Sequence, residues 1–218
     1  MTRGAVLLDL DGTLVDTRRD LASGLNALLT ELDLPPLPVQ TVMGFVGRGA
    51  RSLVRRALDH VDPEATVGRG DDVLRRFLGH YQAVILDTSA PYPGVIAGLE
   101  QLTSAGVPLA VVSNKPHGPT RVVVEGLDLD RFFGVVLGGD AVPVKKPDPS
   151  GLLLAAERLG VDPRRCFMVG DSDVDIAAAR AAGMPGIWCS WGGIHPDRPA
   201  DADFVVDHFA QVVELALA

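Results

Sequence analysis

Short apolar runs alternate with amphipathic segments along most of this chain. A buried-strand pattern opens it over residues 6–8, and from residue 91 onward strand-like and helix-like patterns follow one another. The predicted helices are 94–105, 119–127, 151–159, 174–182 and 212–217, and the predicted strands are 107–112, 135–137, 166–169, 187–190 and 204–206. Such alternation predicts a Rossmann-like α/β core, with a parallel sheet that helices cover on both faces.

Residues 16–86 break this alternation. They carry apolar stripes at helical spacing, at 21, 25, 28, 29 and 32, at 50, 53, 54, 57 and 58, and at 73, 74, 77, 78, 81 and 85. Asp16 and Thr17 can cap the first helix, and Pro35 prevents its continuation. The sequence therefore predicts an all-α helical cap over 16–86, inserted into a core made of 1–15 and 87–218.

The charge distribution supports two units and excludes some partners. The formal net charge is −8, yet residues 16–86 contain nine arginines and nine acids, so the whole excess belongs to the remaining 11 basic and 19 acidic residues. No basic stripe is visible, which argues against nucleic acid as a partner. Cys166 and Cys189 fit neither a zinc site nor a disulfide framework, and no signal-peptide or membrane-spanning pattern occurs. We expect a cytoplasmic protein.

Candidate chemistry lies where the opening strand ends. Asp9 and Asp11 follow the apolar run, and Gly12 lets the backbone turn away. In parallel α/β sheets ligands bind outside the carboxyl ends of the strands, so the two carboxylates are candidates for catalysis. The alternative is a strand followed by an ordinary Asp-Gly turn.

The next two core strands are also followed by polar residues. Ser113 and Asn114 offer a hydroxyl, an amide and backbone N–H groups suited to a phosphate oxygen, although such residues also satisfy turns. The chain has 17 arginines but only three lysines, Lys115, Lys145 and Lys146, all after core strands. This contrast indicates a need for a compact positive charge there, the alternative for Lys145 and Lys146 being a solvated pair.

A fourth strand end, after the predicted strand 166–169, adds more carboxylates. Mg²⁺ takes oxygen ligands and binds through one or two carboxylates, which Asp9 and Asp171 can supply. Asp175, one helical turn further, is placed to orient a water or a lysine. Alternatively, Asp171 and Ser172 act as helix caps.

These motifs in their order resemble those of the haloacid dehalogenase superfamily. The matching stretches are Asp9 to Thr13, Ser113 to Lys115, Lys146-Pro147 and Gly170 to Asp175. Members of the matching subclass carry a helical cap after the first motif. A narrower similarity, through 16–17, 46–50, 113–116 and the helix over 175–183, is to phosphoglycolate phosphatases.

The resemblance implies a phosphatase mechanism. Asp9 would attack phosphorus and form an aspartyl-phosphate, while Asp11 acts first as acid and then as base. Mg²⁺ would be held by Asp9, Asp171 and the backbone carbonyl of Asp11. Further roles follow for residues that touch or balance the phosphoryl group: Gly12, Thr13, Ser113 and Asn114 would bind it, and Lys146 would balance the charge near the nucleophile.

An aspartate at position 11 favours phosphoester chemistry, because dehalogenase-like and phosphonoacetaldehyde hydrolase-like members lack it. The expected substrate is 2-phosphoglycolate or a similar small phosphorylated metabolite, and the expected assembly is a monomer or homodimer. A pyrophosphatase, a β-phosphoglucomutase-like enzyme and a regulatory module without turnover remain as alternatives.

Arg48 stands between Gly47 and Gly49 in the predicted cap. The two glycines allow close approach of the backbone to a neighbouring surface, and closure of the cap would bring this loop toward the part of the substrate remote from phosphorus. An arginine suits a carboxylate such as that of glycolate. The alternative is a solvated arginine in a mobile loop.

Overall fold

A computed structural model describes residues 4–63, 70–192, 199 and 201–218. The strands are β1 (Val6–Leu8), β2 (Val15–Asp16), β3 (Ala90–Pro91), β4 (Leu109–Val112), β5 (Val135–Leu137), β6 (Phe167–Gly170), β7 (Gly186–Cys189) and β8 (Phe204–Val206). The helices are α1 (Arg18–Glu31), α2 (Val39–Met43), α3 (Ala50–Val61), α4 (Gly70–Val84), α5 (Val95–Ser104), α6 (His117–Gly126), α7 (Ser150–Leu159), α8 (Asp173–Ala182) and α9 (Phe209–Leu217).

Six strands form one parallel sheet in the order β5-β4-β1-β6-β7-β8. The central strand β1 is fully buried, and its alternate side chains enter different cores. Leu7 packs in a cluster with alanines of α7 and α8, whereas Val6 and Leu8 belong to the larger cluster that includes side chains of α5 and α9. This two-sided burial explains the uninterrupted apolar run and confirms the predicted α/β parallel sheet.

The helical segment leaves and re-enters the core through a short antiparallel ribbon. β2 pairs with β3, and α1 to α4 lie between them in the chain. The buried carboxylate of Asp20 in α1 accepts four hydrogen bonds from the N–H and hydroxyl groups of Thr88 and Ser89, at 2.6–3.1 Å. These bonds join the start of the helical segment to residues 88–89, which precede β3 where the chain returns to the core.

Several element boundaries differ from the predicted ones. β4 begins at Leu109 rather than at residue 107, because Pro108 has no N–H to donate to the sheet. The five-residue α2 was not predicted, since it is too short to show a helical period. α9 begins at Phe209, three residues early, after a capping box formed by His208 and Gln211.

The first helix is also capped differently from the prediction. Thr17 occupies the N-cap position, but its side chain makes no capping hydrogen bond. Asp16 instead accepts a bond from the backbone N–H of Arg18 at 3.2 Å. Among the described helices, none is long and apolar enough to cross a lipid bilayer.

Candidate active site

Three buried carboxylates meet where β1 and β6 end. Ligand oxygens of Asp9, Asp171 and Asp175 lie within 4.8 Å of one another. Burial, together with the neighbouring Asp175 and Asp11, raises the pKa of Asp9 to about 6 against the opposing effect of Lys146. Burial, with repulsion from Asp175 and Asp9, raises the pKa of Asp171 well above its ordinary value. One bound dication would offset this repulsion.

Two of the buried oxygens are suited to a metal. Asp171 Oδ2 has no hydrogen-bond partner in the described part of the chain. Asp9 Oδ1 lies 3.0 Å from Lys146 Nζ, close enough for an ion pair but without hydrogen-bond alignment. Buried polar atoms are rarely left unsatisfied, so these oxygens fit the Mg²⁺ expected from the sequence.

Asp175 has a different environment. Its Oδ1 accepts a bond from Lys146 Nζ at 2.6 Å, and its Oδ2 accepts from the N–H and hydroxyl of Ser172 in a capping box at the start of α8. Both oxygens are therefore occupied by protein donors. A Cβ on Gly170 would lie 2.3 Å from the Asp175 side chain, so this close packing requires glycine.

Lys146 is held at the centre of this group. Its Nζ also donates to the Val112 carbonyl at 2.7 Å. Burial by itself lowers the pKa of Lys146, but the carboxylates of Asp175 and Asp9 outweigh that effect and the pKa is raised. The ammonium is thus a fixed positive charge beside Asp9.

Asp11 points into a second polar cluster. Thr17 Oγ1 donates to Asp11 Oδ1 at 2.7 Å, and Lys115 Nζ lies 2.9 and 3.2 Å from the two carboxylate oxygens. Lys115 Nζ also donates to the hydroxyl of Tyr81, in α4, at 2.7 Å. Burial by itself lowers the pKa of Lys115, but the neighbouring Asp11 and Tyr81 outweigh that effect and the pKa is raised. Burial raises the pKa of Tyr81 to about 12. Both groups therefore keep their protons near neutral pH.

The candidate phosphate-binding residues lie in two places. Ser113 and Asn114 line the cavity at the end of β4. The Asn114 side-chain amide, however, donates to the carbonyls of Gly47 and Lys146, each at 2.9 Å, and so fixes the loop after α2 against the core. Gly12 and Thr13 form the turn after Asp11, where the Thr13 carbonyl accepts a bond from Trp191 Nε1 at 3.0 Å.

A cavity lies between the strand ends and the helical segment, and its empty space, measured out into the solvent at its mouth, is about 580 Å³. Asp9, Asp11 and Asp171 line its inner end. Its opposite wall is mostly apolar and comes from the helical segment, with Leu21, Val46, Leu53, Phe77 and Leu78. The arrangement can therefore hold a small polar group against the strand ends while the helical segment excludes water.

Arg48 is outside this cavity wall. Its guanidinium lies 3.1 Å from Asp173 Oδ2 at the start of α8, and the two side chains are 57% and 66% exposed. The loop contacts the core through the Gly47 carbonyl, but the arginine is paired with an acid at the surface.

Three residues of this polar cluster, Lys115, Tyr81 and Thr17, have no catalytic or substrate-binding role in the prediction from sequence. Lys115 had a signal, since it is one of only three lysines and follows a core strand. The sequence gives no indication of a role for Tyr81 in the site, because its position in an apolar helical stripe predicts only packing. The Thr17 hydroxyl was assigned to capping, the usual role of that residue type before a helix.

Comparison with known proteins agrees with this geometry. Residues 4–183 match the family model for haloacid dehalogenase-like hydrolases. A phosphoglycolate phosphatase from Rhodospirillum rubrum is 42% identical over 217 residues, covering 95% of this chain and 88% of the relative. The phosphoglycolate phosphatase of Caulobacter vibrioides is 39% identical over 210 residues, again covering 95% and 88%.

Solved structures give the same result. A crystal structure described as a predicted phosphoglycolate phosphatase from Haemophilus somnus superimposes with a TM-score of 0.88 at 31% identity, covering 99% of this chain and 98% of the other. CbbY from Rhodobacter sphaeroides, solved with phosphate, gives 0.82 at 25% identity and 96% coverage of both chains. The chain belongs to the haloacid dehalogenase-like hydrolase family, as a phosphatase whose relatives are phosphoglycolate phosphatases.

Proposed function

We propose that this protein is a Mg²⁺-dependent phosphomonoester hydrolase that works through an aspartyl-phosphate and takes 2-phosphoglycolate or a similar small phosphorylated acid. The observation that carries the proposal is the presence of two buried oxygens, on Asp9 and Asp171, that accept no hydrogen bond in the described part of the chain and lie near the fixed ammonium of Lys146. In this proposal Asp9, Asp171 and the backbone carbonyl of Asp11 hold the ion. When bound, Mg²⁺ supplies positive charge that offsets the negative charge of the phosphoryl oxygens.

In this proposal the reaction has two chemical steps. In the first, an Asp9 oxygen forms a bond to phosphorus while the bond to the leaving oxygen breaks, and Asp11 donates a proton to that oxygen. In the second, a water oxygen forms a bond to the phosphorus of the aspartyl-phosphate while the bond from phosphorus to the Asp9 oxygen breaks; Asp11 accepts the proton of the water, and phosphate leaves with the Asp9 carboxylate restored. Ser113 and the backbone N–H of Asn114 bind the phosphoryl oxygens, next to the turn formed by Gly12 and Thr13.

Two further residues stabilise the charged state of Asp9 and its position. Lys146 balances the charge that gathers around the nucleophile, and Asp175 positions Lys146 through the 2.6 Å bond. Removal of Asp175 would leave the buried ammonium short of one partner and displace it.

The cavity favours an organic leaving group over inorganic pyrophosphate. Pyrophosphate would place a second phosphoryl group, which carries more than one negative charge, in a cavity where Lys115 is the one cationic side chain among the described lining residues, so part of its charge would be buried without a partner. A location in the cytoplasm and assembly as a monomer or homodimer remain predictions from the sequence.

The test is a substrate panel with purified protein and Mg²⁺, containing 2-phosphoglycolate, pyrophosphate, β-glucose-1-phosphate and simple sugar phosphates. We expect 2-phosphoglycolate to have the highest kcat/KM, excess chelator to abolish turnover reversibly, and folded Asp9→Asn to be inactive. Calorimetry should show Mg²⁺ binding to the wild type that Asp171→Asn weakens. Full activity of Asp9→Asn, or undiminished turnover in chelator, would refute the mechanism; a higher kcat/KM on another substrate would refute the assignment of 2-phosphoglycolate.

A further inference from the structure

Lys115 is a buried cation in the wall of the candidate active site. It follows β4 by three residues, its side chain is 3% exposed, and it lines the same cavity as Asp9 and Asp171. Its ion pair with Asp11 bridges residues separated by 104 positions in the chain. Burial of a lysine is unfavourable unless its charge is paired, as Asp11 pairs that of Lys115, and this pairing holds a positive charge in the cavity wall.

The charges around the cavity show what a substrate would meet. Among the described residues that line it, Asp9, Asp11 and Asp171 are acidic and Lys115 is the one with a positive charge. Arg48, the cation that the sequence suggested for a substrate carboxylate, is paired with Asp173 outside this wall. A remote carboxylate entering the cavity would therefore have Lys115 as its cationic partner in the described part of the chain.

The hydrogen bonds of Lys115 leave capacity for such a partner. An ammonium has three N–H groups; one bond goes to the Asp11 carboxylate, shared between its two oxygens, and one goes to Tyr81. Since the two Asp11 oxygens belong to one carboxylate and lie in nearly the same direction from Nζ, one N–H can serve both, which leaves the third N–H for a substrate. The Tyr81 hydroxyl accepts the bond from Lys115, and its own hydrogen also has no acceptor in the described ranges.

These two donors are adjacent. Lys115 Nζ and Tyr81 OH are 2.7 Å apart, and both residues line the cavity. A carboxylate has two oxygens in one plane, so one can accept from the ammonium and the other from the phenol. Because Tyr81 belongs to α4 and Lys115 to the core, a carboxylate held by both would also link the helical segment to the core.

We propose that Lys115 and Tyr81 together bind the carboxylate on the leaving group of the substrate, so that Lys115 determines the preference for phosphorylated acids. This inference rests on the proposed phosphatase function. With a neutral phosphoester, Lys115 affects turnover only through its contact with Asp11. With an acidic phosphoester, Lys115 also binds the substrate carboxylate directly.

The test measures a ratio of kcat/KM values on two matched substrates. One is 2-phosphoglycolate, and the other is 2-hydroxyethyl phosphate, in which a neutral CH₂OH replaces the carboxylate. We expect the wild type to favour 2-phosphoglycolate and Lys115→Met to reduce this ratio at least tenfold. Any loss that arises from disturbance of Asp11 affects both substrates and cancels in the ratio.

Three further variants sharpen the result. Lys115→Arg keeps the charge and should retain most of the preference, and Tyr81→Phe should reduce the ratio about threefold by removal of one donor. Lys145→Met removes a neighbouring lysine that does not line the cavity, and its ratio should equal that of the wild type. If Lys115→Met is too unstable to assay, an unchanged ratio in Tyr81→Phe overturns the paired site.

The outcomes separate this inference from the proposed function. A wild type that prefers 2-phosphoglycolate, together with an unchanged ratio in Lys115→Met, overturns the role of Lys115 and leaves the phosphatase assignment intact. A wild type that hydrolyses both esters equally well overturns the carboxylate site and the 2-phosphoglycolate assignment together. A wild type inactive on every phosphomonoester with Mg²⁺ present overturns the proposed function itself.

Discussion

Replacement of Asp20 by alanine should weaken the connection between the helical segment and the core. The Asp20 carboxylate accepts two backbone and two hydroxyl hydrogen bonds from Thr88 and Ser89, and it is 1% exposed. Its position in the first turn of α1 adds a favourable interaction with the helix dipole.

The magnitude follows from what alanine leaves unsatisfied. The N–H and hydroxyl of Ser89 are buried, and each would lose its acceptor at a cost of about 1–3 kcal/mol. Thr88 is exposed, so water can replace its two lost bonds at a smaller cost. We therefore expect a loss of about 4 kcal/mol in the free energy of unfolding, and about half of that for Asp20→Asn, which keeps one acceptor oxygen.

Urea denaturation followed by tryptophan fluorescence measures this loss. With an m-value of about 3 kcal/mol/M, a 4 kcal/mol loss lowers the midpoint by about 1.3 M. Asp87→Ala, at an exposed position of the same returning segment, is the matched control and should change stability by less than about 0.5 kcal/mol. A double-mutant cycle with Ser89→Ala should give a coupling of about 1 kcal/mol or more. An Asp20→Ala loss below 1 kcal/mol would show that these bonds do not hold the connection.

Three other substitutions test the candidate site and the loop that contacts it. Asp11→Asn should lose most turnover on alkyl phosphates but relatively less on an aryl phosphate, whose leaving group needs little protonation; equal losses would indicate a positioning role. Gly49→Ala should lower kcat/KM on all phosphoesters, because the new Cβ would lie 2.9 Å from the Asn114 carbonyl oxygen and Gly49 has a φ of +85°. The control is Gly160→Ala, at a position with positive φ but no neighbour within 4 Å, which should leave the kinetics unchanged. Arg48→Ala should reduce kcat/KM less than fivefold, and equally on acidic and neutral esters, since its exposed ion pair with Asp173 contributes about 1 kcal/mol or less. A selective loss on 2-phosphoglycolate would instead assign the substrate carboxylate to Arg48.

Local patterns in the sequence were sufficient for the architecture. Buried strands and amphipathic helices each have a period that can be read within about ten residues, so the alternation of the core and the helical nature of 16–86 were predictable. In a parallel sheet the residues that follow the strands lie along one edge, so the sequence predicts that Asp9, Ser113 and Asp171 lie near one another. The chemical type of each residue then indicated a magnesium and phosphate site.

Only the tertiary structure decided which partner each polar side chain takes. Asn114 contacts the loop after α2 through a carbonyl, which no side-chain pattern reveals. Arg48 was expected at the substrate, but an acid at the start of α8, 125 residues away, lies within reach of its guanidinium. Lys115 meets Tyr81 because the helical segment packs over the end of β4. Such contacts depend on distances of a few ångströms between elements remote in the chain, whereas the sequence by itself determines the periods and the order of the elements.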